Sequence, residues 1–333
     1  MFILRLIGNK STAALAIGSI FGLLLPNIQS TAQSALPILI FVFTVASFLK
    51  VDAAAFTGIR NQPLLIGLLL GWCLFVVPLA VRGGLMWSYL PDALQQAVMI
   101  WAVSPPMAAA IVFAMFLKLD VALSVTASVA GMVLLPLTGS PILLALTGLS
   151  VDINPALLIL RIGLFTGSAA LLAMAIRKAV GKQTIQRHSQ EISGIVVTIL
   201  VIYATSLISS VRDYIFAHPW QALGFVSLAA VLNAVIQILT AIVFWRAGPM
   251  FATTAALLTG NKNMSVIYAN LGGANSPEIT LFFAAIHVPI YAFPWFFQGV
   301  YHGAVSGWHR TRQTASKWAP GERQHRPGLQ QGR

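Results

Sequence analysis

Apolar residues run in long unbroken stretches along this chain, separated by short polar joints. A membrane β-barrel would instead show short segments of alternating character. Runs at 12–27, 33–49, 63–81, 94–117, 121–146, 155–176, 193–210, 219–245, 249–271 and 277–300 predict ten helices. Two of them, the fourth and the ninth, are interrupted. The fourth carries Ser104-Pro105-Pro106, and the ninth carries Thr259-Gly260-Asn261-Lys262-Asn263. Glycine and asparagine weaken a helix, and proline removes a backbone donor, so both helices are expected to break. Broken helices at mid-membrane depth are tolerated where they are buried in protein or line a cavity.

Composition turns this pattern into a class. Of 333 residues, 58% are hydrophobic and 8% are charged, against roughly a quarter charged in soluble domains. The chain is therefore expected to be an all-α polytopic membrane protein. The first run ends at Pro26 without a small-residue cleavage site and is read as a retained span. Cys73 is the single cysteine, so an internal disulfide and a cysteine-based metal cluster are out of reach. Its place within an apolar run reads as packing.

The net charge of +12 does not call for nucleic acid once its distribution is seen. With ten spans and both termini cytoplasmic, sixteen lysines and arginines fall inside, ten in the short segments and six in the tail. Only Arg82 and Arg212 fall outside, and Arg161 and Lys262 lie within helices. This is the positive-inside bias of a plasma-membrane protein, here a bacterial inner-membrane one, with some contact to anionic lipid. Arg161 is close enough to its helix end to snorkel to the interface.

The two breaks lie about 155 residues apart, near half the length of the apolar part. That spacing divides the chain into a first five-helix repeat (1–150), a second (151–302) and a disordered basic tail (303–333). Five is odd, so the second repeat is expected to be inverted. Pro136 and Pro289 keep a similar offset. Inverted repeats with paired broken helices mark secondary transporters.

Lys262 is the sharpest chemical feature. It lies at least eight residues from either end of its run, and a charge at such depth costs several kcal/mol or more. The acidic residues Asp52, Asp92, Asp120, Asp152, Glu191, Asp213, Glu278 and Glu322 all fall in loops, at helix ends or in the tail. Lys262 is then neutral through desolvation, charged in a wet cavity, or paired with an anionic ligand. The Pro105-Pro106 break frees carbonyls near 101–103 and opens a half-helix end, or it is a simple kink.

Other polar positions allow two readings each. Ser124 and Ser128, four apart, line a polar path or bond back to their own helix. Asp120 caps the helix that follows it. Asn233 and Gln237, also four apart, act as interhelical glue or line a cavity. His287 carries protons or is a hydrogen-bonded core residue.

Taken together, several of these segments resemble the bile acid:sodium symporter family. The resemblance rests on Asp120 to Val125 followed by Pro136-Leu137 and Pro141, on Thr259 to Asn263, on the proline break in the fourth helix, and on Pro78 late in the third. It covers roughly residues 5–302. It implies two inverted five-helix repeats, with a panel of helices 1, 2, 6 and 7 and a core of helices 3–5 and 8–10, in which helices 4 and 9 unwind and cross. It also implies carriage of organic anions such as carboxylates or sulfonates, commonly with sodium. Substrate would then meet Ser104, Pro105, Pro106, Asn233, Thr259, Gly260, Asn261, Lys262, Asn263 and His287.

The departures from the family pattern are informative. Ala110-Ile111 stands where sodium-coupled members have serine and asparagine. Leu258 replaces a glutamate, and Lys262 and Cys73 each replace a glutamine. Ser124, Ser128 and Asn263 keep a ligand-type side chain, so the ion-coupling candidates are these three and Lys262. The expected function is a secondary active or facilitative carrier of a small organic anion, in which the Lys262 ammonium takes the place of a sodium ion. The alternatives are sodium coupling through a non-standard site, or a non-transporting membrane sensor or channel. No GxSxG serine motif, HExxH zinc motif or intramembrane acid pair is present, so enzymatic chemistry is not expected, nor is a metal or organic cofactor.

Overall fold

A computed structural model describes residue 24 and residues 29–49, 62–147, 155–271 and 276–305. The predicted helix at 12–27 therefore lies almost wholly outside the described residues, as does most of the tail. The described chain is all-helical, with no strand in it. Its main helices are α1 (Gln29–Leu49), α2 (Pro63–Met86), α3 (Asp92–Val103), α4 (Ala110–Phe116) and α5 (Val121–Thr147). They continue as α6 (Pro155–Val180), α7 (Ser189–Ala217), α8 (Pro219–Phe244), α9 (Pro249–Gly260), α10 (Met264–Asn270) and α11 (Pro277–Phe296).

Six of the described helices are long and apolar enough to cross a membrane, within α2, α5, α6, α7, α8 and α11. Their outward faces are apolar, as at Leu160, Leu164 and Leu171 of α6 and Val231, Ile238 and Ile242 of α8. Such a surface suits hydrocarbon rather than water. Arg161 is exposed on α6, as snorkelling requires.

The interrupted runs become half-helix pairs, α3/α4 and α9/α10. Around them, α8 packs between α9 and α11, α5 packs on α3 and α6, and α1 packs on α6 and α7. Among the largest fully buried side chains are Trp101 of α3, Lys262 between α9 and α10, and Phe282 and Phe283 of α11.

Local sequence explains the joints. The Lys118 backbone takes a left-handed conformation (φ 56°), and the Leu119 N–H returns to the Ala114 carbonyl, which closes α4. Asp120 then caps α5 by accepting from the Leu123 N–H at 2.9 Å. Midway along α2, residues Trp72–Val76 widen into a π-helical turn, in which the Val77 N–H reaches the Trp72 carbonyl. In that register the Cys73 carbonyl would accept from residue 78, which is a proline with no N–H to give.

Candidate functional site

The two breaks meet. The Met107 N–H donates to the Asn261 carbonyl at 2.8 Å, and the Asn263 N–H donates to the Pro105 carbonyl at 2.7 Å. This is a minimal antiparallel pair with Pro106 opposite Lys262. Pro106 occupies the position in that pair whose N–H is not used, so its missing donor costs nothing there. The pairing satisfies backbone groups that two helix ends would otherwise bury bare.

Lys262 is 1% exposed. Its Nζ donates to the Ala102 carbonyl at 2.7 Å, the Cys73 carbonyl at 2.9 Å and the Ser104 carbonyl at 3.1 Å, with the Cys73 Sγ at 3.5 Å. Three carbonyl acceptors match the three N–H donors of an ammonium, whereas a neutral amine has two. Each carbonyl is available for a stated reason. Cys73 has lost its partner to Pro78 and the π turn. Ala102 lies four residues before Pro106, whose N–H is missing. Ser104 is the extended residue just past the end of α3, at φ −68° and ψ 147°. The lysine thus ties α2, α3 and the second break together through backbone oxygens, and none of these partners is acidic.

Asn261 and Asn263 flank Lys262 in the short segment that joins α9 to α10. Asn261 Nδ2 donates to the Leu257 carbonyl at 2.8 Å, but its Oδ1 has no hydrogen-bond partner. Both side-chain polar atoms of Asn263 are likewise unpaired, although the residue is 1% exposed. Buried amide atoms without a protein partner are rare, and these are open to a hydrogen bond from a water or ligand.

Glycines let the surrounding helices come close. A Cβ at Gly131 of α5 would lie 2.9 Å from Pro106 Cδ and 3.1 Å from Pro105 Cβ. A Cβ at Gly260 would overlap the Gln237 side chain of α8. Asn233 Nδ2 donates to the Gly260 carbonyl at 2.8 Å, so the α8 amides support the second break. Ser128 of α5 reaches the first break, its hydroxyl donating to the Met107 carbonyl at 3.3 Å.

Other candidates stand apart from the pair. The Ser124 hydroxyl donates to the Asp120 carbonyl and the Thr259 hydroxyl to the Ala255 carbonyl, each bonding back to its own helix. His287 hydrogen-bonds the Phe283 carbonyl through Nδ1 at 2.6 Å, and its ring packs on Tyr203 and Tyr291. It joins the site indirectly. Tyr203 Oη lies 3.1 Å from Ser265 Oγ, three residues beyond Lys262. Tyr203 and Ser265 also line a narrow cleft with Leu39, Phe43, Met107 and Ile199. Its free space is about that of one water molecule.

Sequence reasoning misses Tyr203, Ser265, Met107 and the Cys73 carbonyl as parts of this site, while the Ala102 carbonyl falls among those near 101–103 that the Pro105-Pro106 break is expected to free. Pro78, five residues after Cys73, is the local signal for the freed Cys73 carbonyl. No group of histidine, cysteine and acidic residues suited to a metal ion occurs among the described residues. In comparisons with models of known protein families and with curated proteins, nothing matches the chain.

Proposed function

We propose that this protein is an alternating-access carrier of a small organic anion, and that Lys262 serves as its tethered cation. The observation that carries the reading is the paired break. Two interrupted helices meet backbone to backbone, pinned by a buried ammonium that has no acidic partner. Broken helices that face each other at depth are the usual construction of a carrier site.

The proposed architecture is ten spans in two inverted five-helix repeats, 1–150 and 151–302, related to the bile acid:sodium symporter family and followed by the basic tail 303–333. The charge bias puts both termini in the cytoplasm of a bacterial inner membrane. An ammonium held by neutral carbonyls leaves one positive charge in the core. At an effective dielectric of about 20, an anion roughly 8 Å away gains about 2 kcal/mol from it. Of the unpaired amide atoms, Asn263 Nδ2 can donate to the same anion, while Asn261 Oδ1 and Asn263 Oδ1 accept and suit a substrate hydroxyl or a water instead. The cleft at Tyr203 and Ser265 is the closed form of the route to it, so the Tyr203–Ser265 bond parts when the route opens.

Coupling follows from the same geometry. The three carbonyls already hold a cation on a side chain, so a dissolved sodium ion has no role in joining the breaks. Uptake of labelled carboxylates and sulfonates into proteoliposomes tests this. Transport is expected without a sodium gradient, and a Lys262→Gln variant is expected to lose most of it. Strict dependence on sodium, or an unimpaired variant, overturns the tethered-cation reading. Ion currents far above carrier turnover would show a channel instead.

A further inference from the structure

A chain of side-chain hydrogen bonds runs from the residues after α11 to the second break. The Tyr301 hydroxyl donates to Gln237 Oε1, Gln237 Nε2 donates to Asn233 Oδ1, and Asn233 Nδ2 donates to the Gly260 carbonyl. Every bond points the same way, from Tyr301 toward the break. Asn233 is fully buried, and Gln237 and Tyr301 are each 8% exposed. An amide placed in series has its orientation fixed by its neighbours. If the Tyr301 hydroxyl holds Gln237 Oε1, then Gln237 Nε2 must face Asn233, and Asn233 Nδ2 must face Gly260.

The end of this chain is where control matters. Gly260 closes α9, so its carbonyl has no partner within the helix, and the extended Asn261-Lys262-Asn263 segment begins at the next residue. Contact there is close, because a Cβ at Gly260 would overlap the Gln237 side chain. Tyr301 belongs to the helical stretch at 298–305, beyond the last apolar span.

We propose that Tyr301 is a positioning residue that sets the geometry of the second break through Gln237 and Asn233. It makes the helical stretch at 298–305 a handle on the site. The proposal rests on the carrier reading for its functional consequence, but the relay itself is tested without transport.

Hydrogen exchange across 257–263, followed by mass spectrometry on purified full-length protein, reads the relay directly. Tyr301→Phe removes the first donor and keeps the ring. Exchange at Asn261 and Asn263 is expected to rise about tenfold, the effect of one net hydrogen bond. Unchanged exchange in a folded variant overturns the proposal. Gln237→Met cuts the relay at its middle and serves if Tyr301→Phe does not fold. The double variant is expected to match Gln237→Met alone, since both changes break one chain. Additive effects overturn the relay.

In proteoliposomes, the maximal rate for a transported carboxylate is expected to fall by about the same factor while KM stays within twofold. A purely structural contact would lower the melting temperature and leave the rate per folded molecule alone, and that result also overturns the proposal. If the unaltered protein moves no anion, the carrier reading fails, and the exchange experiment still decides the relay.

Discussion

Lys262→Met removes the ammonium and keeps most of the side-chain length. Three buried carbonyls, of Cys73, Ala102 and Ser104, then lose their donor. Leaving a buried polar group unsatisfied costs about 1–3 kcal/mol, so the three together cost about 3–9 kcal/mol. Opposing this, the variant no longer keeps an ammonium out of water, a relief of several kcal/mol. Removing one partner of a buried charged contact nevertheless destabilises by about 3–5 kcal/mol as a rule, and dipoles left behind are less costly than a charge. The expected net loss is about 3 kcal/mol, the lower end of that range. At roughly 2.1 cal/mol/K of unfolding entropy per residue, each kcal/mol moves the melting midpoint of a 333-residue chain by about 1.4 °C, so the variant should melt about 4 °C lower. Intrinsic fluorescence in one detergent at a fixed heating rate measures this. Lys262→Gln retains two N–H donors and should fall in between. A Lys262→Met protein that melts at or above the parent temperature would show that desolvation outweighs the cage. The claim that carbonyls hold a charged lysine would then be wrong.

Pro106→Ala restores an N–H that competes for the Ala102 carbonyl, so it should loosen Lys262 and extend α3; faster hydrogen exchange at Asn263 is the readout, and protection equal to the parent counts against it. Gly131→Ala pushes a methyl into Pro105 and Pro106, rings that cannot turn aside, and should destabilise by about 1–3 kcal/mol, seen as a lower melting midpoint. Cys73 is fully buried and should resist a membrane-permeant maleimide in the parent protein, while Lys262→Ala should open it to labelling. Tyr203→Phe removes the hydroxyl that meets Ser265 and should favour the open cleft, which an Ile199→Cys reporter on the cleft wall would show as faster labelling.

Much of the architecture is legible along the chain because bilayer-length apolar runs leave little choice of element. The runs predicted at 121–146 and 219–245 appear as Val121–Thr147 and Pro219–Phe244. Both interruptions are also visible in advance, since Pro105-Pro106 and Gly260-Asn261 each disfavour a continuous helix. The roles of single polar residues are not. Ser124 and Ser128 have the same spacing argument, yet one bonds its own helix and the other reaches the first break. Which way each hydroxyl turns depends on the neighbour that packing brings to it.

Lys262 marks the division. The sequence by itself determines that a lone lysine lies deep in an apolar, broken segment without an acid at its level. Only the tertiary structure decides what it touches, through the carbonyls of Cys73, 189 residues away, and of Ala102 and Ser104. The physical reason is that every residue carries the same carbonyl, so a proline can announce that one is freed, as Pro106 does near 101–103, but not which donor the fold will bring to it. A carbonyl becomes a ligand only where a proline, a π turn or a helix end removes its donor and the fold carries a cation to it.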